Sequence, residues 1–191
     1  MINDARRAVE ASAELRFPVL IKPNIGGSGA GIRSFANADA LAEAAGSLDL
    51  GLDGTALVQE RLRPEADAIV RVEILNGELL YAIRIRLMPG SFNLCPADYC
   101  DLTGLADPIE AYEPPDDVVD DVKRIVAAAD MDIAGVEYLV DARDGRPTFY
   151  DVNALSNFVA NAPQIVGFDP FVTFVDALVE RAGFAASIAA A

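Results

Sequence analysis

A lysine beside a glycine-rich segment is the first group of residues whose types could do chemistry. Lys22, one of only two lysines in the chain, ends an apolar run. The residues that follow it and carry the pattern are Gly26, Gly27, Ser28, Gly29 and Gly31. An ammonium group on an apolar strand is unfavourable unless an anion binds it. Because glycine has no Cβ, its backbone N–H groups can approach phosphate oxygens closely. This stretch predicts a site for the phosphates of a nucleoside triphosphate.

Two carboxylates and an amide near the C-terminal end form the second group. Strand alternation places Glu137 on one face of its segment, and places Asp151 and Asn153 together on one face of a later segment. Carboxylates that oppose each other directly across two strands repel unless a positive charge lies between them. Two carboxylates and an amide oxygen, with room for water and phosphate, are how Mg²⁺ is usually held. The pattern predicts a divalent metal site.

The pairing of Glu137 with Asp151 depends on the turn between their segments. A three-residue turn ending at Gly145 pairs Ala142 with Arg146, and counting back from that pair places Glu137 opposite Asp151. A two-residue Asp-Gly turn would shift the register by one residue and remove Glu137 from that face. The sequence leaves both alternatives open.

Charge and cysteine content exclude two classes of partner. The 191 residues carry 30 acids and 15 bases, a net charge of −15. Nucleic-acid binding requires basic patches, so we expect no nucleic-acid partner. Cys95 and Cys100 have neither a second cysteine pair nor any histidine beside them. They therefore predict no zinc site, and we expect unpaired thiols in a reducing cytosol.

Hydropathy predicts a cytoplasmic protein. Apolar residues make up 52% of the chain but occur in short runs, none of which reaches the about 18 residues that a membrane span requires. Met1 is not followed by the basic and apolar regions of a signal peptide. We therefore expect no membrane contact, and small molecules as the partners.

Two segments of different pattern must position these groups. Residues 1–62 are predicted to form a small subdomain of strand, glycine loop, helix and strand, preceded by a helix. Residues 63–191 begin with two strands joined by Asn76-Gly77, the strongest short hairpin signal. A long loop, a helix, a second hairpin and a closing helix follow. The predicted fold class is α+β, with two subdomains that have mainly antiparallel sheets and flanking helices.

The first hairpin carries a set of arginines. Alternation places Arg71 and Glu73 on one face of the first strand. Arg84 and Arg86 lie on one face of the partner strand, away from its apolar residues. We expect these residues to form one polar, functional face.

Taken together, these motifs resemble the ATP-grasp family. The resemblance runs in order through Lys22 and its glycine loop, the segment 58–62, the two arginines Arg71 and Arg84, and the acidic hairpin. It covers nearly all of residues 15–170. In that family, ATP is bound between two α+β subdomains, and the usual reaction joins a carboxylate to an amine through an acyl phosphate.

The resemblance implies how ATP would be held. Lys22 would bind the α- and β-phosphates, and the loop from Gly26 to Gly31 would cover the β- and γ-phosphates. Gln59, Glu60 and the backbone near Leu62 would hold adenine. The family's ribose-binding acid is missing near Ile69, and Asp67 or Glu65 would substitute for it.

The resemblance also implies a catalytic and metal site. Arg71 and Arg84, assisted by Asn93, would neutralise the transferring phosphoryl group. Glu137, Asp151 and Asn153 would hold one or two Mg²⁺ or Mn²⁺ ions. Asn157 would line the acceptor pocket, whereas Ser156 and Tyr150 are interpreted as packing residues.

Two departures from the family pattern leave the function open. The family has a preceding domain and an upstream ATP-binding lysine, which are not present here, so we expect the chain to be a fragment. Asp151 stands where the family more often has glutamate. The predicted function is an ATP-dependent ligase acting on an amino acid or peptide. The alternatives are an ATP-binding module without ligase activity and a phosphotransferase with a hydroxyl acceptor.

Overall fold

The computed structural model describes residues 1–26, 29–87, 108–154, 156 and 158–183. They form two compact units, Met1–Arg63 and a second made of Pro64–Leu87 with residues 108–183. None of the described helices combines the length and apolar character needed to cross a membrane. Six residues singled out in the sequence lie outside the described part of the chain: Gly27, Ser28, Asn93, Cys95, Cys100 and Asn157.

The first unit is built on a three-stranded antiparallel sheet. Its strands are β1 (Val19–Pro23), β2 (Arg33–Phe35) and β3 (Ala56–Glu60), in the order β2-β1-β3. The helices are α1 (Ala8–Ala11), which follows a 3₁₀ turn at Ala5–Arg7, and α2 (Ala38–Ala44), which continues as a 3₁₀ turn at Ala45–Ser47. Asn37 begins α2 by accepting a hydrogen bond from the Ala40 N–H at 2.9 Å, as its sequence position predicts.

Alternation along β1 separates the core of this unit from its polar face. Val19 and Ile21 are buried with Leu41 of α2 in one apolar cluster. Lys22 alternates with them and pairs with Leu57 of β3. The lysine is therefore carried on the sheet face that does not pack against the helices.

The second unit is a five-stranded antiparallel sheet with helices on its faces. The strands are β4 (Ala68–Leu75), β5 (Glu78–Arg86), β6 (Ile109–Ala111), β7 (Ile133–Val140) and β8 (Pro147–Asn153), in the order β6-β5-β4-β7-β8. A 3₁₀ turn, Glu65–Asp67, precedes β4, and the helices are α3 (Asp116–Ala128), α4 (Ala162–Val166) and α5 (Pro170–Arg181). The prediction of mainly antiparallel sheets with flanking helices is confirmed in both units.

Asn76-Gly77 forms the predicted two-residue turn between β4 and β5. Both residues have positive φ, 51° and 79°, which is the conformation that this type of hairpin requires. The register does not stay regular beyond the turn. Ile74 pairs with Leu79 and Glu73 pairs with Tyr81, so that Leu80 is an extra residue in a β-bulge.

This bulge makes one sequence expectation wrong. A regular hairpin would place Arg84 on the same face as Arg71, but the extra residue reverses the alternation of β5. Arg71 pairs directly with Ile83, and Arg84 pairs directly with Val70. The two arginines therefore lie on opposite faces of the sheet.

In the second hairpin Glu137 pairs with Asp151, but the turn between the two strands is not the predicted one. The Asp141 N–H donates to the Arg146 carbonyl at 2.9 Å, so the turn contains four residues and not three. That turn would shift the register by one residue. A bulge at Tyr150 shifts it back, because Tyr138 pairs with Phe149 and Glu137 pairs with Asp151.

The two faces of the five-stranded sheet have different roles. One face packs against α3 in a core that contains Val72, Val122 and Val136. On the other face, Tyr81, Ile83 and Phe158 form a smaller apolar cluster over β5. The remaining part of that second face, over β4, β7 and β8, carries charged side chains.

Candidate functional site

The charged part of the second unit's sheet is a compact group that we call the acidic cluster. It contains Arg71 and Glu73 on β4, Glu137 on β7, and Asp151 and Asn153 on β8. Direct pairing of Arg71 with Glu137 and of Glu137 with Asp151 places these three side chains in a row across the strands. Three carboxylates against one guanidinium leave the cluster with a net charge of −2.

Arg71 lies between two carboxylates. Its Nε donates to Glu73 Oε1 at 2.6 Å and its Nη1 donates to Glu137 Oε1 at 3.0 Å. The exposed fractions of the side chains are 18% for Arg71, 0% for Glu73 and 12% for Glu137. A third bond, from Nη2 to the Ser156 hydroxyl at 3.3 Å, holds the remaining edge of the guanidinium. The guanidinium is therefore held by three hydrogen bonds, two of them to carboxylates.

Gly135 makes room for this guanidinium. It pairs with Glu73 on β4, two pairs away from the pair of Arg71 with Glu137, and a Cβ built on it would lie 2.6 Å from Arg71 Nη2. No side chain fits at that distance without displacing the arginine. The Gly135-Val-Glu motif in the sequence therefore combines a metal-ligand candidate with the space for its cationic partner.

Burial is the largest influence on the pKa of Glu137. Burial raises the pKa of its carboxyl above the ordinary value, and Asp151 raises it further, whereas Arg71 lowers it. The same environment raises the pKa of Tyr150 well above its ordinary value, chiefly through burial and then through the charge of Glu137. The sequence predicts a packing role for Tyr150, but the bulge brings its hydroxyl to Glu137.

Asn153 holds Asp151 in place. Its Nδ2 donates to Asp151 Oδ2 at 2.9 Å, and a longer contact of 3.5 Å joins the same atom to the Gly135 carbonyl. The amide oxygen of Asn153 and the carboxylates of Glu137 and Asp151 are hard oxygen donors, which suit Mg²⁺. Among the described residues, no three histidine, cysteine or acidic side chains could hold a metal ion by themselves. The predicted ligand set of two carboxylates and one amide stays a prediction.

Glu73 is the member of the cluster that sequence reasoning did not single out as a site residue. Its side chain is fully buried, and Oε2 is a buried oxygen without a hydrogen-bond partner among the described residues. Burial, and to a smaller extent the charge of Glu73, raises the pKa of Tyr81 to about 12. The signal that could have identified it is its position two residues after Arg71 on the same strand face.

The first unit carries the predicted phosphate-binding residues on and after β1. Lys22 is partly exposed, and Gly29 and Gly31 have φ values of 69° and 78°. A Cβ on Gly31 would lie 2.9 Å from Pro23 Cγ, so this position needs glycine for both its conformation and its contact. Gly26 is exposed and has ordinary φ.

The predicted adenine- and ribose-binding residues have different environments. Glu60 accepts a hydrogen bond from the Arg16 N–H at 3.1 Å, so its carboxylate helps to hold the chain entering β1. Gln59, on the same strand, pairs with Leu20, and Leu62 follows the strand and is partly buried. Asp67 is exposed with φ of 47°, and its carbonyl accepts from the Leu87 N–H at 2.7 Å.

Arg84 lies outside the acidic cluster, on the face that packs against α3. Its guanidinium lies 3.9 Å from the ring centre of Tyr112 and 3.5 Å from Glu110 Oε1. The ring and the carboxylate are favourable partners for the positive charge of Arg84. The predicted catalytic role of Arg84 beside Arg71 has no support from the geometry of this sheet.

No protein-family model matches this chain, and no curated protein matches it. Solved structures do. The ATP-grasp ligase PsnB complexed with minimal precursor, Mg and ADP has a TM-score of 0.67 and 24% identity, over 94% of this chain and 51% of that chain. D-cycloserine synthetase DcsG has a TM-score of 0.66 and 18% identity, over 93% of this chain and 61% of that chain.

A third similar structure is the D-alanine–D-alanine ligase from Bacillus anthracis complexed with ATP. Its TM-score is 0.55 and its identity 19%, over 87% of this chain and 51% of that chain. This chain thus spans about half the length of the PsnB structures. At these identities the likeness concerns the fold. The sequence resemblance is confirmed at that level: this chain has the ATP-grasp fold.

Proposed function

We propose that this chain is the nucleotide- and metal-binding part of an ATP-dependent ligase that joins a carboxylate to an amine through an acyl phosphate. The observation that carries the proposal is the pairing of Glu137 with Asp151, beside Asn153, in a half-buried cluster with a net charge of −2. A cluster of this charge and donor type is suited to a divalent cation.

The residues of the acidic cluster would hold Mg²⁺ or Mn²⁺ through the carboxylates of Glu137 and Asp151 and the amide oxygen of Asn153. When bound, the ion would neutralise charge on the transferring phosphoryl group. Arg71 keeps Glu137 oriented, through its 3.0 Å bond, and brings one positive charge to the site. Asp151 is oriented by Asn153 at 2.9 Å. The site would act by positioning and charge neutralisation.

Lys22 and the glycine segment would bind the phosphates of ATP. The lysine is on the face of its sheet that the helices leave uncovered, and Gly29 and Gly31 have the left-handed backbone that can direct N–H groups towards an anion. Gln59, Glu60, Leu62 and Asp67 are retained as candidates for the adenine and ribose contacts. For Glu60 the proposed contact is through the backbone, because its carboxylate accepts a hydrogen bond from the Arg16 N–H.

Amino acids or peptides are the proposed substrates. The similar solved structures include a ligase complexed with a precursor peptide, a D-cycloserine synthetase and a D-alanine–D-alanine ligase. Small-molecule or peptide carboxylates and amines fit that range of substrates. We also propose a cytoplasmic location, because the sequence has no apolar run of the about 18 residues that a membrane span requires.

A second candidate function is ATP binding without ligation. It is favoured by the position of Arg84 on the α3 face, beside Tyr112, because the predicted second arginine is then missing from the acidic cluster. A phosphotransferase with a hydroxyl acceptor would use the same nucleotide site.

An ADP-release assay separates the three functions. The protein is incubated with ATP and Mg²⁺ and with candidate carboxylates and amines, singly and in pairs, and products are identified by mass spectrometry. ADP release that needs both substrates supports the ligase, and a phosphorylated alcohol supports the phosphotransferase. Saturable ATP binding without ADP release supports the binding module. The Asp151→Asn variant is the control, since its ADP release should fall to background.

A further inference from the structure

We propose that Glu73 is a positioning residue for the metal site: it holds Arg71 against Glu137 and cancels the charge that Arg71 brings to the cluster. This inference rests on the proposed function, because it concerns the metal affinity of the acidic cluster. Glu73 contacts Arg71 and is not one of the proposed ligands.

The geometry gives Glu73 control of the guanidinium. It binds Nε at 2.6 Å, while Nη1 is left to bind Glu137 at 3.0 Å. Because Nε is the atom nearest the chain, a bond there fixes the direction in which the two terminal nitrogens point. The Ser156 hydroxyl, at 3.3 Å from Nη2, is the remaining partner of the guanidinium among the described residues.

Charge explains why such a residue would matter for a cation. Glu137 and Asp151 bring two negative charges, and the charges of Arg71 and Glu73 cancel each other. Without the charge of Glu73, Arg71 would reduce the net charge of the cluster from −2 to −1 and would compete with the metal for Glu137. Interactions between half-buried groups are weakly screened by salt. The loss of metal affinity on removing the charge of Glu73 should therefore be measurable at physiological ionic strength.

Folding stability does not fully account for Glu73. Its side chain is fully buried, and Oε2 has no hydrogen-bond partner among the described residues. A buried carboxylate oxygen without a partner is unfavourable, and apolar residues often replace a buried ion pair without loss of stability. A role at the adjacent site accounts for a charge that the core does not need.

Mn²⁺ binding, measured by electron paramagnetic resonance at fixed ionic strength, tests the inference. Glu73→Gln should bind Mn²⁺ about tenfold more weakly than the wild type, within the range for groups that act behind metal ligands. The double variant Arg71→Met with Glu73→Gln restores the net charge of −2 but removes the contact that orients Glu137, so its affinity should be several-fold higher than that of Glu73→Gln and below that of the wild type. Glu110→Gln, which removes a carboxylate that binds Arg84, is the matched control and should not change the affinity.

Each outcome decides the question. Equal Mn²⁺ affinity in the wild type and Glu73→Gln would overturn the inference and leave the proposed function intact. Loss of binding in both Glu73→Gln and the double variant would overturn it as well, since a purely structural role predicts that pattern. A wild-type protein that binds no Mn²⁺ would overturn the metal site of the proposed function, and this inference with it.

Discussion

The effect of the Asp151→Asn substitution on folding stability should have opposite signs in the metal-free and the metal-bound protein. Asp151 directly opposes Glu137 across β7 and β8. Two charges about 5 Å apart at an effective dielectric constant of about 20 repel by about 3 kcal/mol. Arg71 at 3.0 Å from Glu137 and the Asn153 amide at 2.9 Å from Asp151 offset most of this repulsion. Like charges in direct cross-strand opposition cost at most about 1 kcal/mol net.

Asparagine removes the charge and keeps the size and one acceptor oxygen of the side chain. We therefore expect the metal-free variant to be about 0.5–1 kcal/mol more stable than the wild type. Mg²⁺ at about ten times its Kd should stabilise the wild type by about 1.4 kcal/mol. It should stabilise the variant much less, because one of the two carboxylate ligands is missing.

Thermal unfolding with EDTA and with MgCl₂ measures both effects. For a chain of this size, about 1 kcal/mol corresponds to a shift of about 2–4 °C in Tm. The variant should have the higher Tm in EDTA and the lower Tm in MgCl₂. Asp120→Asn, at an exposed position on α3 in the same unit, should show neither difference. Equal Mg²⁺ stabilisation of wild type and Asp151→Asn would refute the assignment of this carboxylate as a ligand.

Three further predictions concern the first unit and the acidic cluster. Lys22→Ala should weaken ATP binding by about tenfold or more in calorimetry, with little change in Tm, because the side chain lies on the sheet face away from the core; Lys123→Ala should bind ATP normally. Gly135→Ala should lose about 1–3 kcal/mol in urea unfolding, because its Cβ would displace Arg71. Glu137→Gln should gain stability relative to the wild type as pH rises. Burial raises the pKa of Glu137 in the folded state, so its stabilising contribution is complete below its ordinary pKa of 4.5 and is lost as pH rises through the folded pKa.

A control measurement or a contradicting outcome tests each of these predictions. A large fall in the Tm of nucleotide-free Lys22→Ala would show that the lysine serves the fold and not a ligand. Gly46→Ala, at a glycine with nothing within 4 Å of the built Cβ, should be close to neutral; a similar loss at both glycines would argue against a specific clash with Arg71. A difference between wild type and Glu137→Gln that stays constant from pH 4.5 to 7.5 would argue against the raised pKa.

The elements and several pairings could be predicted from the sequence. Asn76-Gly77 requires positive φ at both residues, and that local requirement determined the first turn. Asn37 determined the start of α2 through a bond only three residues away. The alternation of apolar and polar residues in β1 determined that Lys22 lies on the face opposite Val19 and Ile21. All of these depend on interactions within a few residues along the chain.

The two β-bulges could not be predicted in this way. The extra residue Leu80 moved Arg84 to the α3 face, and the bulge at Tyr150 restored the pairing that a four-residue turn would otherwise have shifted. The predicted partner of Asp151 was right although the predicted turn was wrong. A bulge is selected by packing on both faces of the finished sheet, so a residue count from the turn does not reveal it.

The sequence by itself determined the chemistry available to this protein: a lysine before glycines, and acids with an amide on a hairpin. Tertiary structure alone decided which charges meet. Arg71 and Glu137 are 66 residues apart, and Glu73 entered the site because β4 lies between β5 and β7 in the sheet. Strand order and register set the distances between charges. Those distances decide whether two carboxylates repel each other, bind the same arginine or can bind a cation together.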